Sequence, residues 1–177
     1  MRTKLILLPL ALLIGSGSGN WTVDASRAKV EFTIKGPLGT VHGNFTGLKA
    51  TIRFDVGNPG AGSITASIDA KTVSTGIGMR NHHLKSEEQF LNTDKYPEIS
   101  FHSKKIEKTG SGFTAAGELT LKGVSKPVQL PFTFTPSGKT GIFKGQFVIK
   151  REDFNIGKPG GSTANDVTIS LEVPVSQ

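Results

Sequence analysis

Apolar and polar residues alternate one by one in almost every segment of the chain after residue 20. Val30, Phe32 and Ile34, for example, share one face of a predicted strand. Glycine-rich turn sequences separate these segments, such as GNPGAG at 57–62 and TPSGKTG at 135–141. Short alternating runs between turn signals are typical of antiparallel β-strands with one buried face. The pattern therefore predicts an all-β fold of about eight strands.

Eight antiparallel strands with short connections most simply close into an up-and-down barrel, whose interior can hold one small ligand. A sandwich of two sheets would show the same alternation, so the periodicity leaves that fold open. The polar faces are rich in Ser, Thr, Lys, Asp and Glu, and no aromatic girdle marks the strand ends. Barrels of outer membranes have the opposite arrangement, with apolar residues facing lipid. We therefore expect a soluble barrel with an apolar interior.

The predicted inward-facing residues differ widely in size. Phe32 and Phe54 share the interior with Ala66, Gly43 and Gly117. Small inward residues either leave a cavity or accommodate the taper of a packed core. Periodicity alone does not distinguish a hollow barrel from a filled one.

The alternation changes parity between Phe45 and Leu48. Val41 and Phe45 are odd-numbered, whereas Leu48 and Ala50 are even-numbered. One extra residue in a β-bulge would restore the facing of the apolar side chains. Two separate strands would explain the change equally well.

The first nineteen residues have the layout of a secretory signal peptide. Arg2 and Lys4 precede a mostly apolar run at 5–14, and the small residues GSGSG follow it. This run is shorter than the roughly 20 residues that a membrane-spanning helix needs. We expect cleavage near residue 19, a single β-barrel domain over residues 20–177, and a periplasmic or secreted location. A retained interfacial anchor is the alternative.

The charge balance and the absence of cysteine exclude several classes of function. Without Arg2 and Lys4 the chain has 19 basic and 14 acidic side chains, so its formal charge is +5 rather than +7. This excess is either a solubilising surface or a source of weak attraction to anionic membrane surfaces. No basic cluster carries interleaved aromatic residues, which argues against nucleic-acid binding. The absence of cysteine excludes disulfides, thiol catalysis and cysteine metal sites.

Residues 76–101 interrupt the alternation, and we predict a short helical insertion at about residues 76–95. Ser86 followed three positions later by Gln89 fits a capping box, which predicts a short helix over residues 87–91. An excursion from a rigid all-β scaffold is a candidate lid, because loops on such scaffolds tend to carry function.

The apolar residues of the insertion are Met79, Leu84, Phe90 and Leu91, and we expect them to pack toward the barrel. The Tyr-Pro pair at 96–97 ends the insertion, because a residue before proline favours extended backbone. The insertion is therefore predicted to have an apolar underside.

The insertion contains four basic or ionisable side chains that are candidates for ligand binding. They are Arg80, His82, His83 and Lys85. Adjacent histidines point about 100° apart on a helix, so they chelate one metal ion poorly. The planar guanidinium of an arginine can donate two parallel hydrogen bonds to a phosphate or carboxylate group. Arg80 and one histidine therefore predict a site that hydrogen-bonds an oxyanion or carbonyl at the mouth of a cavity.

Several longer motifs follow one another in a fixed order along the chain. They are WTVDASRAKVEFTIK, GTVHGNFTGLKATIRFD, RNHHLKSEEQFLNTDKYPEISF, GELTLKGVSKPVQLPF, KREDFNIG and NDVTISLEV. In this order and spacing they resemble the YceI-like family of exported lipid-binding barrels, over essentially the whole chain after residue 20. Asn81 departs from the family pattern, which commonly has aspartate at this position.

The resemblance implies a lipocalin-like antiparallel barrel with a lid helix, which holds a long-chain isoprenoid or another amphiphilic lipid and performs no chemistry. It implies no metal and no cofactor other than a bound isoprenoid or quinone-like lipid. Transient contact with a membrane surface and a homodimer are left open. Two other functions also remain open: a hydrolase that acts on a lipid or small ester through His83, and a ligand-free stress-response barrel.

The expected ligand site has a polar and an apolar part. Arg80, Asn81 and His83 are predicted to hold the lipid head group. The predicted contacts of the lipid tail are Phe32, Phe54, Ile68, Leu84, Phe90, Phe101, Leu130 and Ile169.

Overall fold

Ten β-strands and one α-helix make up most of the computed structural model, which describes residues 19–177. The helix, α1, is Gly78–Ser86. The strands are β1 (Gly19–Val23), β2 (Lys29–Gly36), β3 (Gly39–Phe45), β4 (Lys49–Phe54), β5 (Ser63–Asp69), β6 (Glu98–Thr109), β7 (Gly112–Leu121), β8 (Val124–Ser137), β9 (Thr140–Lys150) and β10 (Asp166–Ser176). The predicted signal peptide lies outside the described residues, apart from Gly19.

The strands form one antiparallel sheet that closes on itself. Each of β4 to β9 pairs with the next strand along the chain, and β10 also pairs with both β1 and β2. The first two strands lie end to end beside β10, and β3 and β4 lie end to end beside them. These ten segments therefore occupy eight strand positions. The prediction of an eight-stranded antiparallel barrel with a short helical insertion is confirmed.

The parity change after Phe45 comes from two separate strands rather than from a bulge. β3 ends at Phe45, β4 begins at Lys49, and Gly47 between them has a φ of 73°. Glycine adopts this left-handed backbone without the steric cost that a Cβ atom would bring. The break restores the inward facing of the apolar residues in β4.

The small inward residues serve two purposes. Gly43 and Gly117 lie directly beneath the rings of Phe32 and Phe101, where a Cβ atom would overlap the aromatic carbons. Ala66, by contrast, faces open space inside the barrel. Some small residues therefore accommodate large neighbours, while others leave room.

One end of the barrel is filled by aromatic rings. Phe54 is 1% exposed and makes edge-on contacts with Phe113, Phe132, Phe134 and Phe143 at centroid distances of 4.9–5.5 Å. The indole of Trp21 packs edge-on against Phe134, and its Nε1 donates a hydrogen bond to the carbonyl of Phe54 at 3.0 Å. This end is therefore closed without a separate lid.

The opposite end is covered by longer connections. The β5–β6 connection contains α1, and the β9–β10 connection contains a single 3-10 turn at Arg151–Phe154. The backbone N–H of Gly157 donates to the carbonyl of Gln89 at 2.6 Å, which joins the two connections. No helix within residues 19–177 has the length and apolar character needed to cross a membrane.

Candidate functional site

A cavity of about 930 Å³ occupies the barrel between the aromatic end and the long connections. Its walls are almost entirely aliphatic and aromatic, with contributions from strands around the barrel, including β2, β4, β6 and β10. This volume is near the upper end of the roughly 300–1,000 Å³ that is typical of small-molecule sites. The cavity can therefore enclose a sizeable apolar ligand.

Three segments surround the mouth of the cavity. They are the β2–β3 turn with Leu38, the helix α1 with its preceding residues, and the β9–β10 connection up to Thr163. The β9–β10 connection is fixed to the wall because the backbone N–H of Ala164 donates to the carbonyl of Lys35 at 2.8 Å. All polar side chains with a predicted ligand role come from the second segment.

The prediction of a helix over residues 87–91 is wrong, because the helix ends where that prediction starts it. The Ser86 hydroxyl donates to the carbonyl of His82 at 2.9 Å, four residues back, instead of capping a new helix. Gln89 donates its side-chain N–H to the Glu87 carboxylate rather than returning to the serine backbone. Glu87 has extended backbone, and residues 88–91 form turns.

Arg80 and Asn81 are joined through Thr75. Arg80 donates from Nε to the Thr75 hydroxyl at 2.8 Å and from Nη2 to the Thr75 carbonyl at 3.0 Å. The Asn81 Oδ1 accepts hydrogen bonds from the Thr75 backbone N–H and hydroxyl, at 2.8 and 2.7 Å. These contacts orient Arg80 at the mouth while its Nη1 donors remain without a partner among the described residues.

The three predicted head-group residues therefore occupy different positions. Arg80 and His83 line the cavity, whereas Asn81 is directed to Thr75 and lies outside the lining. An amide at position 81 serves this arrangement because its oxygen can accept both Thr75 donors. Sequence reasoning did not single out Thr75, which lies two residues before the N-cap Ile77 and bonds the side chains of Asn81 and Arg80 rather than the helix backbone.

His83 lies at the exposed edge of the mouth. Its Nε2 is 3.8 Å from the Glu87 carboxylate, one helical turn along the chain. Within residues 19–177 no serine or threonine hydroxyl is hydrogen-bonded to His83. The arrangement can provide a hydrogen bond to a ligand, but it does not form a nucleophile and base pair.

Seven of the eight predicted tail-contact residues line the cavity. They are Phe32, Ile68, Leu84, Phe90, Phe101, Leu130 and Ile169. The assignment of Phe54 to the cavity wall is wrong, because four other phenylalanine rings enclose it at the filled end. Met79 was expected to pack inward, but it lies at the mouth with 73% of its surface exposed.

A buried arginine organises the β9–β10 connection beside the cavity. Arg151 is 6% exposed, and its guanidinium donates to the carbonyls of Ala164, Ile156, Lys158 and Thr163. Buried cations need such compensation, because leaving a charged donor without partners is costly. The sequence carried a signal for this residue, since Arg151 continues the inward-facing parity of Phe147 and Ile149.

Two lysines near the mouth have altered acid–base properties. Partial burial lowers the pKa of Lys122, and the charge of Glu88 opposes that effect. The Lys122 ammonium donates to the carbonyl of Asn155 at 2.6 Å and so ties the β7–β8 turn to the β9–β10 connection. A hydrogen bond from Lys71 to Asp94 raises the pKa of the lysine and lowers that of the aspartate. These contacts brace the mouth.

The described residues contain no group of three or more histidine, aspartate or glutamate side chains that could hold a metal ion. The two adjacent histidines have ring centroids 6.2 Å apart, and His82 is exposed. The polar part of the site is therefore formed by single side chains at the rim of an apolar cavity.

Comparisons with known proteins agree with this architecture. The model of the YceI-like domain matches residues 21–175. A UPF0312 protein of Pectobacterium atrosepticum is 33% identical, and the alignment covers 97% of this chain and 95% of the relative. A UPF0312 protein of Yersinia enterocolitica is 35% identical with the same coverage.

Solved structures show the same fold. Burkholderia cenocepacia BcnA is 28% identical with a TM-score of 0.82, covering 88% of this chain and 99% of BcnA. A YceI protein of Campylobacter jejuni is 28% identical with a TM-score of 0.70, covering 77% of this chain and 85% of that protein. A polyisoprenoid binding domain from Saccharophagus degradans has a TM-score of 0.69 at 17% identity, covering 88% and 97%.

Proposed function

The chain belongs to the family of YceI-like domains, and from that membership and its cavity we propose that it is an exported carrier of a long-chain isoprenoid or similar amphiphilic lipid. The observation that carries the proposal is a 930 Å³ cavity whose walls are almost entirely apolar, with Arg80 and His83 at its mouth. A ligand that fits this distribution has a long apolar chain and one polar end.

Burial of the apolar chain supplies most of the binding energy. Each methylene group removed from water contributes about 0.8 kcal/mol. Ten such groups therefore contribute about 8 kcal/mol before the costs of ordering the ligand are subtracted. The walls that would receive the chain include Phe32, Ile68, Leu130 and Ile169.

The polar end of the ligand lies at the rim in this proposal. Arg80 offers its free Nη1 donors to an oxyanion, and His83 offers one ring nitrogen. Asn81 acts through Thr75 by keeping the guanidinium in place. These contacts orient the ligand and discriminate between head groups, while the tail sets the affinity.

Two further observations support the proposal. The related fold from Saccharophagus degradans is described as a polyisoprenoid binding domain. The charged and apolar layout of residues 1–19 is that of a secretory signal, which supports export to the periplasm or the outside of the cell. A carrier is useful there because a long apolar chain cannot diffuse freely through water.

Native mass spectrometry of the gently purified protein, followed by organic extraction, tests the proposal. We expect a mass increment that disappears on extraction, or uptake of offered geranylgeraniol and geranylgeranyl pyrophosphate by the stripped protein. A protein without extractable lipid that also takes up neither compound would refute the carrier function. Turnover of an offered fatty ester that His83→Ala abolishes would instead establish a hydrolase.

A further inference from the structure

Three large apolar side chains at the mouth of the cavity are exposed to solvent. Leu38 is fully exposed, and the exposed fractions of Met79 and Ile77 are 73% and 52%. Leu38 is at the tip of the β2–β3 turn, and the other two residues are at the start of α1. All three border the same cavity. We call these three residues the apolar collar.

The collar is accompanied by cations that lack acidic partners. Lys35, Arg80 and Lys158 have no carboxylate within 4.0 Å anywhere in residues 19–177. Arg80 and Lys158 border the cavity, and Lys35 is adjacent to the β2–β3 turn. The carboxylate of Glu87 is nearby but lies toward His83. The rim of the mouth is therefore both apolar and basic.

We propose that the collar and these cations dock the mouth of the barrel on the surface of an anionic lipid bilayer. This proposal rests on the proposed carrier function, because it specifies where the lipid enters and leaves. Exposed apolar side chains flanked by cations are the features with which peripheral proteins enter the headgroup region of anionic membranes. An anionic bilayer can interact with both parts of the rim, because its acyl region accepts the apolar side chains of the collar and its head groups pair with the cations.

The position of the collar gives docking a direct consequence. The cavity opens between Leu38 and the start of α1, so a docked mouth faces the bilayer interior. An apolar chain can then pass between membrane and barrel without crossing water, which removes the largest barrier to its transfer. A collar elsewhere on the barrel would offer no such path.

Vesicle co-sedimentation tests docking directly. The full protein is mixed with vesicles of phosphatidylcholine alone or with a third of phosphatidylglycerol, at low salt. We expect binding to the anionic vesicles and a loss of roughly a hundredfold or more in L38S/M79S, because two apolar side chains no longer insert. The variant K35Q/K158Q should lose roughly 25-fold, since each basic residue near an anionic surface contributes roughly a fivefold factor.

A matched variant controls for exposed apolar residues in general. Val56 and Val148 are 47% and 56% exposed but lie away from the mouth, so V56S/V148S should bind vesicles like the original protein. In detergent-free solution, L38S/M79S should keep most of its affinity for geranylgeraniol, because Leu38 and Met79 border only the mouth and the walls that enclose the tail keep their side chains. Its circular dichroism spectrum and thermal unfolding should also be unchanged.

Several outcomes would overturn docking. They are a protein that ignores anionic vesicles while it takes up geranylgeraniol, and a variant L38S/M79S that binds vesicles fully. A dimer that L38S/M79S converts to a monomer in sedimentation velocity would assign the collar to a second copy of the chain. A protein that binds vesicles through the collar but takes up no isoprenoid would support docking and refute the carrier function.

Discussion

The two ends of the barrel are made by the same strands and share the same alternation, yet one is filled and the other is hollow. At the filled end the rings of Phe54, Phe113, Phe132 and Phe143 meet, and Trp21 covers them. At the hollow end the strands carry residues such as Ala66, Ile68 and Val30, whose side chains do not reach one another across the barrel. The difference separates a part that stabilises the fold from a part available for binding.

The two ends of the barrel also differ in their connections between strands, because the longest connections lie at the hollow end. At the filled end the turns at 110–111 and 138–139 are two-residue hairpin loops. The hollow end also has two-residue turns at 37–38 and 122–123, but its 70–97 and 151–165 segments are long and are joined by one backbone hydrogen bond, from Gly157 to Gln89. Long ordered connections are uncommon in small domains unless they serve a function. Stability and ligand access are therefore assigned to opposite ends.

The largest expected effect comes from removing one phenylalanine ring from each end of the barrel and comparing the losses of stability. Phe54→Ala should lower the free energy of unfolding by about 3–5 kcal/mol, because it leaves a cavity within a packed cluster. Phe90→Ala, at the hollow end, should lower it by about 1 kcal/mol or less, since that ring already borders open space. Urea unfolding followed by circular dichroism measures both. Similar losses in the two variants would show that the hollow end is packed in solution.

The sequence predicted the faces of the strands but not the height of each residue along the barrel axis. Alternation assigned Phe32, Phe54 and Leu130 correctly to the interior, because the period of a strand is two. Height depends on the register between strands, and Phe54 meets Phe113 and Phe143 only after all of the intervening strands are in place. The assignment of Phe54 to the lipid tail failed for this reason.

The polar rim was predicted less completely than the walls. Arg80 and His83 were placed at the mouth, but the amide of Asn81 is directed to Thr75 instead. The helix boundary was misjudged because Ser86 can bond either forward as a cap or back to the preceding turn, and the local sequence allows both. Such choices are decided by contacts across the fold, which one short motif does not contain.

Filling part of the cavity with a larger side chain tests whether the cavity is the site that binds the isoprenoid chain. Ala66 on β5 faces the cavity, and Phe at this position should occupy part of the volume without displacing a neighbour. If the ring excludes about three methylene groups of a bound chain, the affinity for geranylgeraniol should fall roughly 50-fold. The free energy of unfolding should be unchanged or slightly higher.

The matched control places the same ring outside the barrel. Ala116 on β7 has the opposite facing, between the buried Ala115 and Gly117, so Ala116→Phe should leave binding unchanged. Titration of the stripped proteins with a fluorescent isoprenoid analogue measures both affinities. Full-strength binding by Ala66→Phe would show that the chain does not enter the cavity.

The smallest expected effect concerns the rim rather than the walls. Arg80→Ala should weaken binding of geranylgeranyl pyrophosphate by roughly tenfold, because it removes a charge-assisted hydrogen bond. Binding of geranylgeraniol should change little, because tail burial dominates its affinity and the alcohol carries no charge. Arg53→Ala, which removes an exposed outward arginine of β4, controls for the loss of net positive charge. Equal losses for the two ligands in Arg80→Ala would mean that Arg80 only braces Thr75 and the start of α1, and the distinction between tail-binding walls and a head-binding rim would then fail.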